Sequence, residues 1–121
     1  MIDMQLAAAA VLLALTGIVH SVLGEWMVFR RKQLRAALGQ QWGIVWATWH
    51  IPTALGLALA LWLAWLAIHA PTAHSLAPHR LGLQLLALGL GASAALVAGA
   101  TRGRHPGWLA MGLTAALLAS A

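Results

Sequence analysis

Cysteine, tyrosine and acidic residues are absent or scarce in this sequence, and each shortage narrows the possible functions. The 121 residues include no cysteine and no tyrosine, and Asp3 and Glu25 are the only acidic side chains. The lack of cysteine excludes disulfides, thiolate metal sites, iron–sulfur clusters and cysteine nucleophiles. Two carboxylates leave little material for a calcium site or a catalytic dyad. Charged residues make up 7% of the chain, against about a quarter in soluble domains, which argues against a soluble protein.

Apolar residues, by contrast, make up 62% of the chain and are grouped in four stretches. These cover approximately residues 4–29, 42–69, 81–100 and 106–121. The first three reach the roughly 20 residues that a helix needs to cross a bilayer. The fourth is shorter, and Pro106 suits its first helical position. The sequence therefore predicts an all-α, polytopic integral membrane protein, built as a single four-helix transmembrane bundle over residues 1–121.

The basic residues are distributed unevenly between the two sides of the predicted membrane. Six of the seven lie in the loops of one side, and these are Arg30, Arg31, Lys32, Arg35, Arg102 and Arg104. The positive-inside rule predicts that this side is cytoplasmic and that both termini are non-cytoplasmic. The excess of arginine over lysine, with many alanines and leucines, is typical of GC-rich bacterial genomes, so we expect the bacterial inner membrane. Flanking charge explains the pI near 12.0, and we expect no nucleic-acid partner.

Ionisable side chains inside the predicted spans are the best candidates for functional residues, because burying them in lipid is costly. His20 lies ten residues from Arg30, and His50 lies eight residues from Trp42. On adjacent antiparallel helices the two imidazoles are therefore expected at a similar depth. The predicted intramembrane polar site consists of His20, Ser21, Glu25, Trp46, Trp49, His50 and Thr53.

Glu25 is closer than His20 to the basic side, so we expect an arginine to neutralise it. The candidate partners form a basic cytoplasmic rim of Arg30, Arg102, Arg104 and His105. We then predict a polar line, that is, a row of polar side chains that runs from this rim through Glu25 to His20 and His50. Ser21 and Thr53 are expected to satisfy backbone carbonyls.

Two backbone features accompany the candidate site. The first span carries a seam of small residues, including Gly17 and Gly24, that allows another helix to approach closely. Whether this seam meets a helix of the same chain or of another subunit is left open by the sequence. Pro52 lacks an N–H, so the carbonyl of Thr48 loses its usual partner and the second helix is expected to loosen there.

Three functions are compatible with these residues. The chain has no strict hydrolase or nucleotide-binding motif, so we do not expect an enzyme. The first function, which the polar line favours, is proton-coupled transport or cation handling by an oligomer, with Glu25 as a proton relay. The second is a redox subunit in which His20 and His50 bind a transition metal or a haem. The third is an accessory or structural membrane subunit without its own activity. In each case the expected partners are the lipid bilayer and either further copies of the chain or a larger membrane complex.

Overall fold

Helix extends over nearly the whole chain in the computed structural model, which describes residues 2–121 and, at Ala73, the backbone alone. Helical residues make up 89%, and no strand occurs in the described part, so the all-α prediction is confirmed. The helices are α1 (Met4–Gly24), α2 (Lys32–Leu38), α3 (Trp42–His69), α4 (Ala73–Leu76), α5 (Arg80–Thr101) and α6 (Gly107–Ser120). A π-helical turn, Glu25–Phe29, continues α1.

The helix ends follow the local sequence. The carboxylate of Asp3 caps α1 by accepting hydrogen bonds from the backbone N–H groups of Gln5 and Leu6, at 2.9 and 3.0 Å. The N–H of Asp3 donates to the carbonyl of Ala67 at 2.9 Å, which joins the start of α1 to the last turns of α3. At the other end of the molecule, Gly103 has a φ of +73°, and its N–H donates to a carbonyl of the last turn of α5. Arg102, just before it, is the C-cap and also has a positive φ, +52°, so α5 ends at two successive residues of positive φ.

The helices pack most tightly at one end of the bundle. α1 packs along both α3 and α6, and α5 packs along α6. We call the end that carries Arg30, Arg31, Lys32, Arg35, Arg102 and Arg104 the basic end. All buried apolar residues except Phe29 and Ala94 lie in the opposite half, and they include Leu6, Leu13, Leu63, Leu66, Leu83 and Leu118. The half near the basic end is therefore less completely packed.

The outer surface of the bundle is apolar along its length. Ile44 and Leu61 of α3 and Leu88 and Leu96 of α5 are each at least 70% exposed. Three helical segments are long and apolar enough to cross a membrane, namely Met4–Phe29, Lys32–His69 and His74–Thr101, whereas Gly107–Ser120 is shorter. Helices that are apolar on their exposed faces fit a lipid environment, so a membrane location suits this structure.

The small-residue seam of α1 is closed within the chain, by α3. A Cβ atom added to Gly17 would lie 3.5 Å from Cγ2 of Thr53. A Cβ atom added to Gly24 would lie 2.0 Å from Nε1 of Trp49, so this tryptophan packs directly on the glycine backbone. The close approach of α1 and α3 brings the candidate polar residues of the two helices together.

Candidate functional site

The candidate site begins where α1 changes from α-helix to π-helix. The N–H of Arg30 donates to the carbonyl of Glu25 at 3.0 Å, which closes a turn one residue wider than an α-helical turn. Such turns are rare and occur frequently at functional sites. At the end of this turn Phe29 is buried, with its ring edge-on to Trp42 and to Trp49 at centroid distances of 5.3 and 5.6 Å.

A row of hydrogen bonds crosses from α3 to α1 beside this turn. Nδ1 of His50 lies 2.8 Å from Oγ of Ser21. Oγ of Ser21 donates to Oγ1 of Thr53 at 2.9 Å, and Oγ1 of Thr53 donates to the carbonyl of Gly17 at 3.2 Å. The expectation that Ser21 and Thr53 satisfy backbone carbonyls therefore holds for Thr53, which bonds a carbonyl of the neighbouring helix. Ser21 instead joins two side chains of α3.

The direction of this row determines which nitrogen of His50 carries a proton. The carbonyl of Gly17 only accepts, so Thr53 donates to it and accepts from Ser21. Because the proton of Ser21 is used in this way, its oxygen accepts from Nδ1–H of His50. A neutral His50 ring then has a lone pair on Nε2. We infer this tautomer from the hydrogen-bond network.

Glu25 lies directly opposite that lone pair. Oε2 of Glu25 is 3.6 Å from Nε2 of His50, and the same oxygen accepts a hydrogen bond from Nε1 of Trp46 at 3.0 Å. Nε2 is buried and has no hydrogen-bond partner. The side chain of Glu25 is 45% exposed and that of His50 is 23% exposed. When the ring is neutral and the carboxylate is ionised, two acceptor atoms face each other at a site that is open on the side of the carboxylate.

The structure corrects the expected partner of Glu25. Within residues 2–121, its contact with His50 is the only pairing of opposite charge types within 4.0 Å. The expected arginine partner is wrong because the carboxylate is directed across the interface with α3, while the basic side chains lie at the helix ends. Arg30, Arg102, Arg104 and His105 are all exposed at the basic end.

His20 has a different environment from His50. Its ring is stacked on Trp49, with centroids 4.5 Å apart and planes 10° apart. Nε1 of Trp49 is buried without a hydrogen-bond partner. The row that includes His50 therefore contains Ser21, Thr53 and Glu25, while His20 belongs to an aromatic stack. In the described part of the chain, no three His, Asp or Glu side chains are grouped closely enough to hold a metal ion together.

Sequence reasoning missed three groups that shape the site. The carbonyl of Gly17 sets the direction of the hydrogen-bond row, and no residue pattern indicates which carbonyl accepts from a neighbouring helix. Phe29 lies beside His50 on the side of the basic end. It is the only phenylalanine in the sequence, and this was the one feature that could have indicated a special role. The third group is Trp42, whose ring packs on Phe29 and lies 5.5 Å from the guanidinium carbon of Arg35.

No protein-family model, no curated protein and no solved structure matches this chain. The function is therefore argued from the geometry of the site. Chemically, the site offers a carboxylate oxygen and an imidazole nitrogen 3.6 Å apart. Its hydroxyl groups orient the ring of His50, and the rings of Trp46 and Phe29 lie 4.6 and 6.0 Å from that ring.

Proposed function

We propose that this protein transports cations across a membrane and that Glu25 and His50 bind the cation on its way. The observation that carries this proposal is the pair of facing acceptors, Oε2 of Glu25 and Nε2 of His50, 3.6 Å apart. Two lone pairs that face each other repel, and a cation between them turns that repulsion into attraction. The smallest such cation is a proton, which supports proton-coupled transport as the class of function.

The position of the pair supports transport rather than a packing role alone. A carboxylate inside a membrane helix is costly unless it is compensated, and no arginine or lysine compensates this one in the described residues. The half of the bundle that contains the pair is also the half with fewer buried apolar residues. A cation can reach the exposed side of Glu25 there without crossing the packed core.

The environment of the proposed transporter follows from charge and exposure. The six basic residues at one end favour a cytoplasmic orientation of that end, in a bacterial inner membrane. A carboxylate that is 45% exposed is unfavourable against hydrocarbon, which favours an oligomer in which a second copy or trapped water covers it.

Proton movement into proteoliposomes tests the proposal. The purified protein is reconstituted around the pH-sensitive dye pyranine, in buffer that contains a metal chelator, and valinomycin with a potassium gradient imposes a potential. We expect proton uptake above that of protein-free vesicles, and we expect Glu25→Gln and His50→Gln to reduce it to the protein-free level.

The matched control is His69→Gln. His69 is on the same helix as His50 and also lies beside a tryptophan, Trp65, with ring centroids 4.8 Å apart, but it lies at the opposite end. Its replacement should leave uptake unchanged. Uptake by the unaltered protein no faster than in protein-free vesicles, or uptake that survives both site substitutions, would contradict the proposal.

A further inference from the structure

We propose that the cation taken by the Glu25–His50 pair is a divalent transition-metal ion, held by Oε2 of Glu25 and Nε2 of His50. This inference deepens the proposed function and rests on it, because it names the class of cargo for the same pair. The ion is the transported species, and the Glu25–His50 pair is its binding site in this proposal.

The distance between the two donor atoms fits a shared metal ion. With metal–ligand bonds of about 2.1 Å, the gap of 3.6 Å corresponds to a ligand–metal–ligand angle of about 120°, near the tetrahedral value. The ion then sits slightly to one side of the line between the two atoms. Because the side chain of Glu25 is 45% exposed, the remaining coordination positions open towards the carboxylate side.

Both ligands are already oriented for metal binding. Histidines that bind metals almost always donate their other ring N–H to a neighbouring acceptor, which fixes the tautomer. Nδ1 of His50 does this towards Ser21 at 2.8 Å, and Thr53 determines the direction of that bond. The indole N–H of Trp46 holds Oε2 of Glu25 at 3.0 Å in the same way. The hydrogen bonds of His50 with Ser21 and of Glu25 with Trp46 thus resemble those that orient the ligands in metal sites.

The donor atoms also indicate which ions fit. One imidazole nitrogen and one carboxylate oxygen suit Zn²⁺, Co²⁺ or Ni²⁺, whereas Ca²⁺ and Mg²⁺ prefer ligand sets made of oxygen alone. Two protein ligands are fewer than the four of a structural zinc site. The lack of a third grouped ligand in the described residues therefore suits an ion that binds and leaves.

Equilibrium binding of Co²⁺ tests the inference, because its visible spectrum reports the ligand atoms. The full chain is purified without a histidine tag and titrated with cobalt chloride. We expect one Co²⁺ per chain with the spectrum of nitrogen and oxygen ligation, and we expect Glu25→Gln and His50→Gln to abolish that spectrum.

Two control variants separate this pair from the other histidines. His20→Gln should retain the spectrum, because His20 is stacked on Trp49 and is not a ligand in this arrangement. The double variant H74Q/H79Q removes two histidines of the segment between α3 and α5 and should also retain it. Loss of the spectrum in either control, or its survival in Glu25→Gln, overturns the inference.

Ser21→Ala provides a test that keeps both ligands in place. Removing this hydroxyl releases the Nδ1–H of His50, and loss of such a partner typically weakens metal binding by about 10–100-fold. The comparison variant is Thr114→Val, whose hydroxyl bonds within its own helix, to the carbonyl of Ala110, and which should leave Co²⁺ affinity unchanged. Equal affinities in the two variants would contradict the role of His50 as a ligand.

The metal inference and the transport proposal fail in different ways. Proton uptake in chelator that depends on Glu25, combined with no Co²⁺ binding, overturns the metal inference and leaves the transport proposal standing. Co²⁺ binding that depends on the pair, combined with proton uptake no faster than in protein-free vesicles, overturns the transport proposal alone.

Discussion

Gly24 determines where Trp49 lies and, through it, how the aromatic part of the site is arranged. The indole packs on the backbone of this glycine, at a distance that leaves no room for a Cβ atom. The same indole is stacked on His20 and forms a T-shaped pair with Phe29. The absence of a side chain at Gly24 therefore allows the rings of Trp49, His20 and Phe29 to pack together.

Gly24→Ala is expected to lower the free energy of unfolding by about 1–3 kcal/mol, the usual cost of overpacking a filled position. The physical reason is that the indole of Trp49 must move away from α1 and lose its stack with His20. Thermal unfolding in detergent measures the effect as a lower Tm. Gly89→Ala is the control, since nothing lies within 4 Å of its added Cβ. Equal Tm values for the two variants would show that Trp49 does not pack on Gly24.

At the scale of the element, α3 is one helix with two different halves. Its second half supplies buried residues to the core, including Leu63 and Leu66, and its first half carries Trp46 and His50. Pro52 stands between the halves and leaves the carbonyl of Thr48 without its usual donor. The π-helical turn of α1 lies beside the first half of α3, so both helices depart from regular α-helical hydrogen bonding next to the site.

Pro52→Ala is expected to stabilise α3 by on the order of 1 kcal/mol, comparable to hydrogen bonds measured between membrane helices. The new N–H at position 52 donates to the carbonyl of Thr48. Hydrogen–deuterium exchange read by mass spectrometry should show slower exchange over residues 48–56. Pro106→Ala, at the start of α6 where no intrahelical bond is missing, should leave exchange unchanged. Unaltered exchange in Pro52→Ala would mean that the Thr48 carbonyl already has a partner.

At the scale of the whole molecule, charge and packing divide the bundle into two ends. The basic end carries six of the seven basic residues, and the opposite half contains most of the buried apolar core. The core holds the three long helices and the shorter α6 together, and the candidate site lies where the helices are less completely packed. This division separates the most completely packed part of the molecule from the part that carries the candidate site.

The proposed orientation predicts that the two ends of α3 are accessible from opposite sides of the membrane. Because the chain has no cysteine, Gln33→Cys and His74→Cys each introduce a single thiol at an exposed position. In intact cells a membrane-impermeant maleimide should label His74→Cys, and it should label Gln33→Cys only after the membrane is opened. The reverse result would contradict the orientation, and labelling of both thiols in intact cells would show that α3 does not cross the membrane.

The sequence by itself determined the four apolar helical segments, the basic end and the positions of His20, Glu25 and His50 along their helices. These properties follow from hydropathy, charge and a fixed rise per residue, each of which can be summed along the chain. Only the tertiary structure decided that Glu25 faces His50 instead of an arginine, and that Ser21 orients the imidazole ring. The direction of a side chain depends on the rotation of its helix about its own axis. Here the contact of Trp49 with Gly24 and the wider turn at Glu25 determine that rotation, and neither can be read from spacing alone.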